Sequence, residues 1–276
     1  MSGKILVGHD LFQGGHDALA LGHLIARATG AELVVGCIVA PGDTNPPNTR
    51  IQQVAETAGA QPVVLVADSP ARGLEALAAA IGAELIVLGS SRDAKLGELV
   101  AGSAARSLFL SAPCAVAVVP RAYRSLDDQS LSKIVVGVDG SLEAGIALEA
   151  EIGLARSTGA ALKLIAVAEP PVALGALAGT VEERRRAALR DAVGRVPPGV
   201  AVEATLVTGD PGTKLRDAST GGSLLALGSC GDGPVRRVTL GSVTSALAGG
   251  AACPLVVYRR QEIALSDRAP LAAAAG

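Results

Sequence analysis

Tryptophan is absent from the 276 residues, and Phe12, Phe109, Tyr123 and Tyr258 are the whole set of phenylalanine and tyrosine side chains. Proteins that grip single-stranded nucleic acid stack bases on aromatic platforms, and four scattered rings build none. An excess of one charge is also missing: 24 basic and 26 acidic side chains leave a formal charge of −2. No broad positive field exists to hold a phosphate backbone, so nucleic acid is excluded as a partner. The four cysteines, Cys37, Cys114, Cys230 and Cys253, contain no C-x-x-C pair, which predicts reduced thiols in a cytoplasmic protein. No apolar run reaches the roughly 18 residues of a membrane span. The amino-terminal stretch from Met1 meets Asp10 before a secretory apolar region is complete. The expectation is a chain with no membrane partner and no cleaved leader.

Histidine is scarce too, and His9, His16 and His23 are regularly spaced. On one helix His16 and His23 stand about 10.5 Å apart in rise. That is too far to share an ion, and no cluster of Cys or carboxylate completes a set, so no metal site is expected.

What the chain does have is a repeat. Lys4-Ile5-Leu6-Val7-Gly8-His9-Asp10 aligns with Lys133-Ile134-Val135-Val136-Gly137-Val138-Asp139 at an offset of 129, and by Gly89 and Gly228 the offset is 139. Ten residues were therefore gained in the middle of the second half, in the stretch holding Glu182-Glu183-Arg184-Arg185-Arg186, which reads as a longer, solvated helix. Each half alternates short apolar runs with alanine-rich segments of helical length, the pattern of a parallel α/β sheet covered on both faces. Strands are predicted near 4–8, 33–39, 62–66, 84–89 and 114–119, and near 133–138, 162–168, 200–207, 223–228 and 253–258. The predicted architecture is α/β: two tandem doubly wound, five-stranded parallel-sheet domains, each with its own core. They span 3–121 and 132–259, with a polar linker at 122–131 and a mobile tail at 260–276.

The second half carries Gly228-x2-Gly231-x9-Gly241-Ser242 directly after an apolar run. A strand feeding a glycine loop and then a helix start is a phosphate cradle, because exposed backbone N–H groups and the helix dipole both favour an anion. Gly231 falls where a loop around a phosphate needs positive φ or close backbone approach, and Ser242 adds a hydroxyl. Asp139 follows the first strand of its half, beside the point where strand order reverses in such sheets, and can accept hydrogen bonds from ribose or a base. Its alternative is a turn residue in Asp139-Gly140-Ser141. Other phosphate motifs fail: Gly209-Asp210-Pro211-Gly212-Thr213-Lys214 is not a G-x-x-x-x-G-K loop, and Arg236 breaks a dinucleotide fingerprint starting at Gly231.

Taken with Cys253-Pro254-Leu255-Val256-Val257, these motifs resemble the universal stress protein domain, an adenine nucleotide alpha hydrolase-like fold, in a tandem pair. The resemblance implies ATP as ligand, with or without Mg²⁺. Its phosphates and ribose would lie on Gly228, Gly231, Gly241, Ser242 and Val243, and its adenosine against Asp139 and the second-strand residue Val167. The corresponding first-half positions are Asp10, Ile38, Gly89, Gly102 and Ser103, but Leu11-Phe12 replaces the Gly-Ser pair and Arg92 replaces the second glycine. That half is expected to bind weakly or to be an empty scaffold. The resemblance also implies pairing through the terminal strands, giving an internal pseudo-dimer and leaving a homodimer and a protein partner open.

The function that follows is a stress-response regulator signalling through nucleotide-dependent conformation or partner binding. Its rival is a nucleotide-independent interaction protein that dimerises through its last strands. A slow ATPase is the weakest reading, since the second half has no histidine from which to build a nucleophile, base and orienter. No catalytic residue is assigned. Cys230, inside the loop, is a candidate for modification, with a small residue that simply fits as the alternative.

Overall fold

A computed structural model describes residues 3–44, 46–123, 130–169, 175–220, 224–229 and 240–259, without the side chains of 175–180. The first half runs β1 (Lys4–Gly8), α1 (Gln13–Thr29), β2 (Glu32–Val39), α2 (Asn48–Ala58), β3 (Gln61–Val66), α3 (Pro70–Ile81), β4 (Ala83–Gly89), α4 (Ser103–Ser111) and β5 (Ala115–Val119). The second runs β6 (Lys133–Gly137), α5 (Leu142–Thr158), β7 (Ala161–Ala168), α6 (Gly175–Arg195), β8 (Val202–Thr208), α7 (Pro211–Ser219), β9 (Leu224–Gly228), α8 (Ser242–Leu247) and β10 (Leu255–Tyr258). The repeat reaches into the helix ends: α1 stops at Gly30 and α5 at Gly159, both left-handed, with φ of 73° and 76°. The ten inserted residues lengthen a helix, since α2 has 11 residues where α6 has 21.

All ten strands form one sheet, in the order β3-β2-β1-β4-β5-β10-β9-β6-β7-β8. Pairing is parallel within each half and antiparallel at the seam, where Leu255, Val256 and Val257 face Val118, Ala117 and Val116. Because side chains alternate across a strand, Ile5 and Val7 enter one apolar layer and Leu6 the other. Each layer then runs through both halves: Ala117 and Val256 share one, Val116 and Val257 the other. The expectation of a separate core for each domain is corrected accordingly. Pairing of β5 with β10 removes the edge that would have divided them.

The ends of the linker also differ from the polar, unpatterned reading. Tyr123 and Leu131 are both buried in the layer that holds α1 and α5, and the Ala122 N–H donates to the buried Asp17 carboxylate at 2.9 Å. Residues 124–129 and the tail from 260 lie outside the described part. Among the described residues, no helix is long and apolar enough to cross a membrane.

Candidate functional site

Strand order reverses between β1 and β4 in the first half and between β6 and β9 in the second. Crevices at such points, beyond the carboxyl ends of the strands, are where doubly wound sheets hold ligands. In the second half Asp139 lies just past β6. The Ser141 backbone N–H and hydroxyl donate to its Oδ1 at 2.9 and 2.6 Å, and Ser141 Oγ accepts the Ala144 N–H at 3.1 Å, capping α5. The turn reading of Asp139 accounts for one of its oxygens. One carboxylate oxygen braces the cap, and among the described residues no donor reaches Oδ2.

Val167 lies near the end of β7. The Val138 N–H donates to the Ile165 carbonyl at 2.8 Å, so Ile165 turns its backbone groups toward β6. Two residues on, Val167 turns the same way. By then β6 has ended at Gly137, so the Val167 amide and carbonyl face the crevice while its side chain is buried in the core. Ile38 has the same orientation in the first half, set by the His9 N–H on Gly36.

Gly228 has a packing role. A Cβ there would lie 2.7 Å from Ala144 N and 2.8 Å from the Glu143 carbonyl carbon, at the start of α5. Gly89 repeats this with its neighbours closer still, 2.1 Å from Gly14 O. Both halves keep this glycine because helix and strand backbones nearly touch there. Gly102 is different: a Cβ meets nothing within 4 Å. Gly241 precedes the six-residue α8, Ser242 is exposed, and Val243 packs on the core. Cys230, Gly231 and Arg236 lie outside the described residues.

The first-half crevice is occupied by its own side chains. The Phe12 N–H takes Asp10 Oδ1 at 3.0 Å, and Arg92 reaches Oδ2 at 3.3 Å while its guanidinium lies 3.7 Å over the Phe12 ring. The ion pair is exposed and worth well under about 1 kcal/mol. The loop behind it is the stronger barrier. N–H groups of Ser90, Ser91, Gly97 and Ala101 donate to carbonyls of Val119, Val100, Arg121 and Ala248, and that of Val100 to Ser90 Oγ. Arg121 crosses it, giving Nη1 to the Arg92 and Ala94 carbonyls, both at 2.8 Å. Donors that a cradle would aim at phosphate are here spent on protein.

Leu11 stands at φ 62° where the second half has Gly140 at φ 89°, a backbone that costs a Cβ-bearing residue about 1–2 kcal/mol. Beside it His9 is buried, accepts the Leu11 N–H on Nδ1 at 3.0 Å, and meets the His16 ring edge-on at 4.7 Å. Burial, then the nearby His16, pull its pKa from 6.5 to about 4. A depressed imidazole contributes stability that is complete above pH 6.5 and lost as pH falls through about 4. Valine, which occupies the equivalent position 138, removes that loss. His9→Val should move the acid unfolding midpoint, followed by circular dichroism, downward by about half a pH unit or more. An unchanged midpoint would mean that other groups set acid stability.

Cys114 and Cys253 are held as thiols by burial, which raises both to about 12. Among the described residues no group of three or more His, Cys, Asp or Glu side chains is placed to hold a metal.

The inserted helix is not wholly solvated. Arg185 Nη1 donates to the Asp139 carbonyl, and Ala188 Cβ stands 3.3 Å from where a Gly140 Cβ would be. Arg195 ties the far end of α6 to Glu149 on α5 at 2.7 Å. One face of α6 thus lies over the Asp139 end of the crevice, a placement missed by reading Glu182 to Arg186 as a wet charge run. The available signal was position: the insertion follows β7, whose carboxyl end borders the site.

The universal stress protein family profile matches residues 48–120 and 131–259. Universal stress protein Rv2005c of Mycobacterium tuberculosis is 31% identical over 186 residues, covering 64% of this chain and 62% of that protein. Universal stress protein Rv3134c of the same organism is 35% identical over 134 residues, covering 48% of this chain and 50% of its own length. The chain thus spans less than two thirds of either relative. A universal stress protein from Archaeoglobus fulgidus superposes with a TM-score of 0.68 over 94% of this chain and 99% of its own, at 20% identity, a likeness of fold. With one match to the family in each half, the chain belongs to the universal stress protein family.

Proposed function

We propose that this protein is a nucleotide-responsive regulator that binds ATP in the crevice of its second half and signals through the order this imposes on the glycine loop. The observation that carries the reading is the contrast between the crevices. In the second, Asp139 keeps one carboxylate oxygen without a donor among the described residues. In the first, both oxygens of Asp10 are taken, by Phe12 and Arg92. Asp139 would accept from the adenosine, and Gly231, Gly241, Ser242 and Val243 would line the phosphates and ribose, with Mg²⁺ as an accompanying ion.

The interaction-protein reading loses its proposed surface. β5 is paired on both edges, with β4 and β10, and β10 with β5 and β9, so neither last strand is free to recruit a second chain.

A ligand that binds only the folded state raises its melting temperature by mass action, by roughly 2.7 kcal/mol of stability at a hundred times Kd. ATP with Mg²⁺ should therefore raise the Tm of the purified protein by several degrees, and acid extracts of fresh protein should contain adenine nucleotide. A flat Tm with a nucleotide-free extract would sink the proposal.

A further inference from the structure

Glu151 is fully buried midway along α5. The Tyr258 hydroxyl donates to its Oε1 at 2.8 Å, and among the described residues Oε2 has no partner. The fold does not require this pair. At the same places in the first half stand Gly22 and Val119, and the same helix and strand form there without either polar group. A carboxyl with unmet bonding capacity is a costly filling where an apolar residue would serve.

The pair is also joined to the candidate site. The Tyr258 backbone carbonyl accepts the N–H of Ser229, the residue that opens the glycine loop, at 2.7 Å. The first turn of α5 abuts Gly228, just before it. The helix and strand that enclose Glu151 are thus the ones that hold the start of the loop.

We propose that Glu151 and Tyr258 form a proton-operated latch. With a proton on Glu151, α5 and β10 close over the pair and hold the loop's first residues against the sheet. When the proton leaves to solvent, an uncompensated negative charge remains between helix and strand and loosens both. The latch is independent of the nucleotide reading, because it is a property of the ligand-free protein.

Among the described residues no other charge offsets this one. The elements packed on α5 present Tyr258 from β10, Lys133 from β6, Lys163 from β7, and His16, Asp17, His23 and Arg27 from α1, with none from β9. Arg195 of α6 is spent on Glu149, and α5 itself adds Glu143, Glu149 and Arg156. Among the described residues, only Tyr258 hydrogen-bonds to Glu151. Burial raises the carboxyl from 4.5 to about 7, against the smaller downward pull of the Tyr258 hydroxyl. Tyr258 is itself raised, by burial and then by Glu151, and stays protonated. Because the folded value lies above the unfolded one, the stabilisation is complete below pH 4.5 and is lost as pH rises through about 7.

With no tryptophan and two tyrosines in the chain, Tyr123→Phe leaves Tyr258 as the sole emitter. Bonding to a carboxylate quenches a tyrosine more than bonding to a carboxylic acid. The emission of Tyr123→Phe should fall in one step centred near pH 7, and the step should vanish when Glu151→Gln is added. In parallel, hydrogen exchange at the Ser229 and Tyr258 amides, corrected for its intrinsic pH dependence, should rise about tenfold between pH 6 and 8, and not in Glu151→Gln. The same step in Glu151→Gln, or a step with no change in exchange, overturns the latch. If Glu151→Gln does not fold, the side-chain carboxyl ¹³C shift of Glu151 in the wild-type protein decides. A midpoint near the ordinary carboxylate value of about 4.3 overturns it, and one near neutrality upholds it.

Discussion

Alanine at position 89 lowers the unfolding free energy by about 3 kcal/mol, the upper end for overpacking a tight site. A methyl group there would lie 2.1 Å from Gly14 O and 2.4 Å from Gly14 C. These neighbours are backbone at the start of α1, so no rotamer change relieves the clash and the helix must lift from β4. Gly228→Ala meets the backbone of Glu143 and Ala144 at 2.7–2.8 Å and should cost nearly as much. Gly102→Ala is the control. Its φ is −70° and nothing lies within 4 Å, so the change is neutral or stabilises by up to about 1 kcal/mol through the unfolded chain. Denaturant melts of the three variants measure this. Equal effects at 89 and 102 would show that the glycine pattern is not divided between packing and ligand roles.

Asp139→Ala should weaken the proposed ATP binding about 10- to 100-fold, the loss of one hydrogen bond to a charged acceptor at about 1.5–3 kcal/mol. Asp10→Ala leaves affinity unchanged, since Asp10 already spends both oxygens on Phe12 and Arg92. Part of the Asp139 effect is structural, because Oδ1 braces Ser141 at the head of α5. Asp139→Asn separates the parts: the amide oxygen keeps the brace, while the second position becomes a donor where the ligand needs an acceptor. Calorimetric titration should give Asp139→Asn an affinity close to that of Asp139→Ala, with a Tm nearer the wild type. Wild-type affinity in Asp139→Asn would remove the carboxylate from the binding account.

The local pattern of the fold was plain in the residues. Every predicted strand lies within two residues of an observed one, because continuous runs such as Leu85-Ile86-Val87-Leu88 are buried on both faces and because the repeat supplies each half with a second reading. The single sheet was harder to see. Ala115–Val119 and Leu255–Tyr258 are as apolar as strands that pair with another chain, and nothing local says that their partners are each other. In the site, Asp139 and its capping serine were legible from adjacency alone, but Arg185 was not, since its contact with the Asp139 carbonyl spans 46 positions. The closing of the first loop was half legible. Arg92 in place of glycine marked the change, while Arg121, which bonds the loop carbonyls from the end of β5, carried no motif. The Glu151 and Tyr258 pair was invisible for the same reason: two ordinary residues, 107 positions apart, become unusual only when burial removes the water.

The central claim is asymmetry: one working crevice, in the second half. Equilibrium dialysis of labelled ATP against the full chain at saturation tests it most directly. One nucleotide should bind per chain, falling to about half or less in Asp139→Ala at about ten times the wild-type Kd, and still one in Arg92→Gly, because removing the arginine leaves the first-half loop amides bonded to protein. Two nucleotides per wild-type chain, or one that survives Asp139→Ala and disappears with Asp10→Ala, would contradict it.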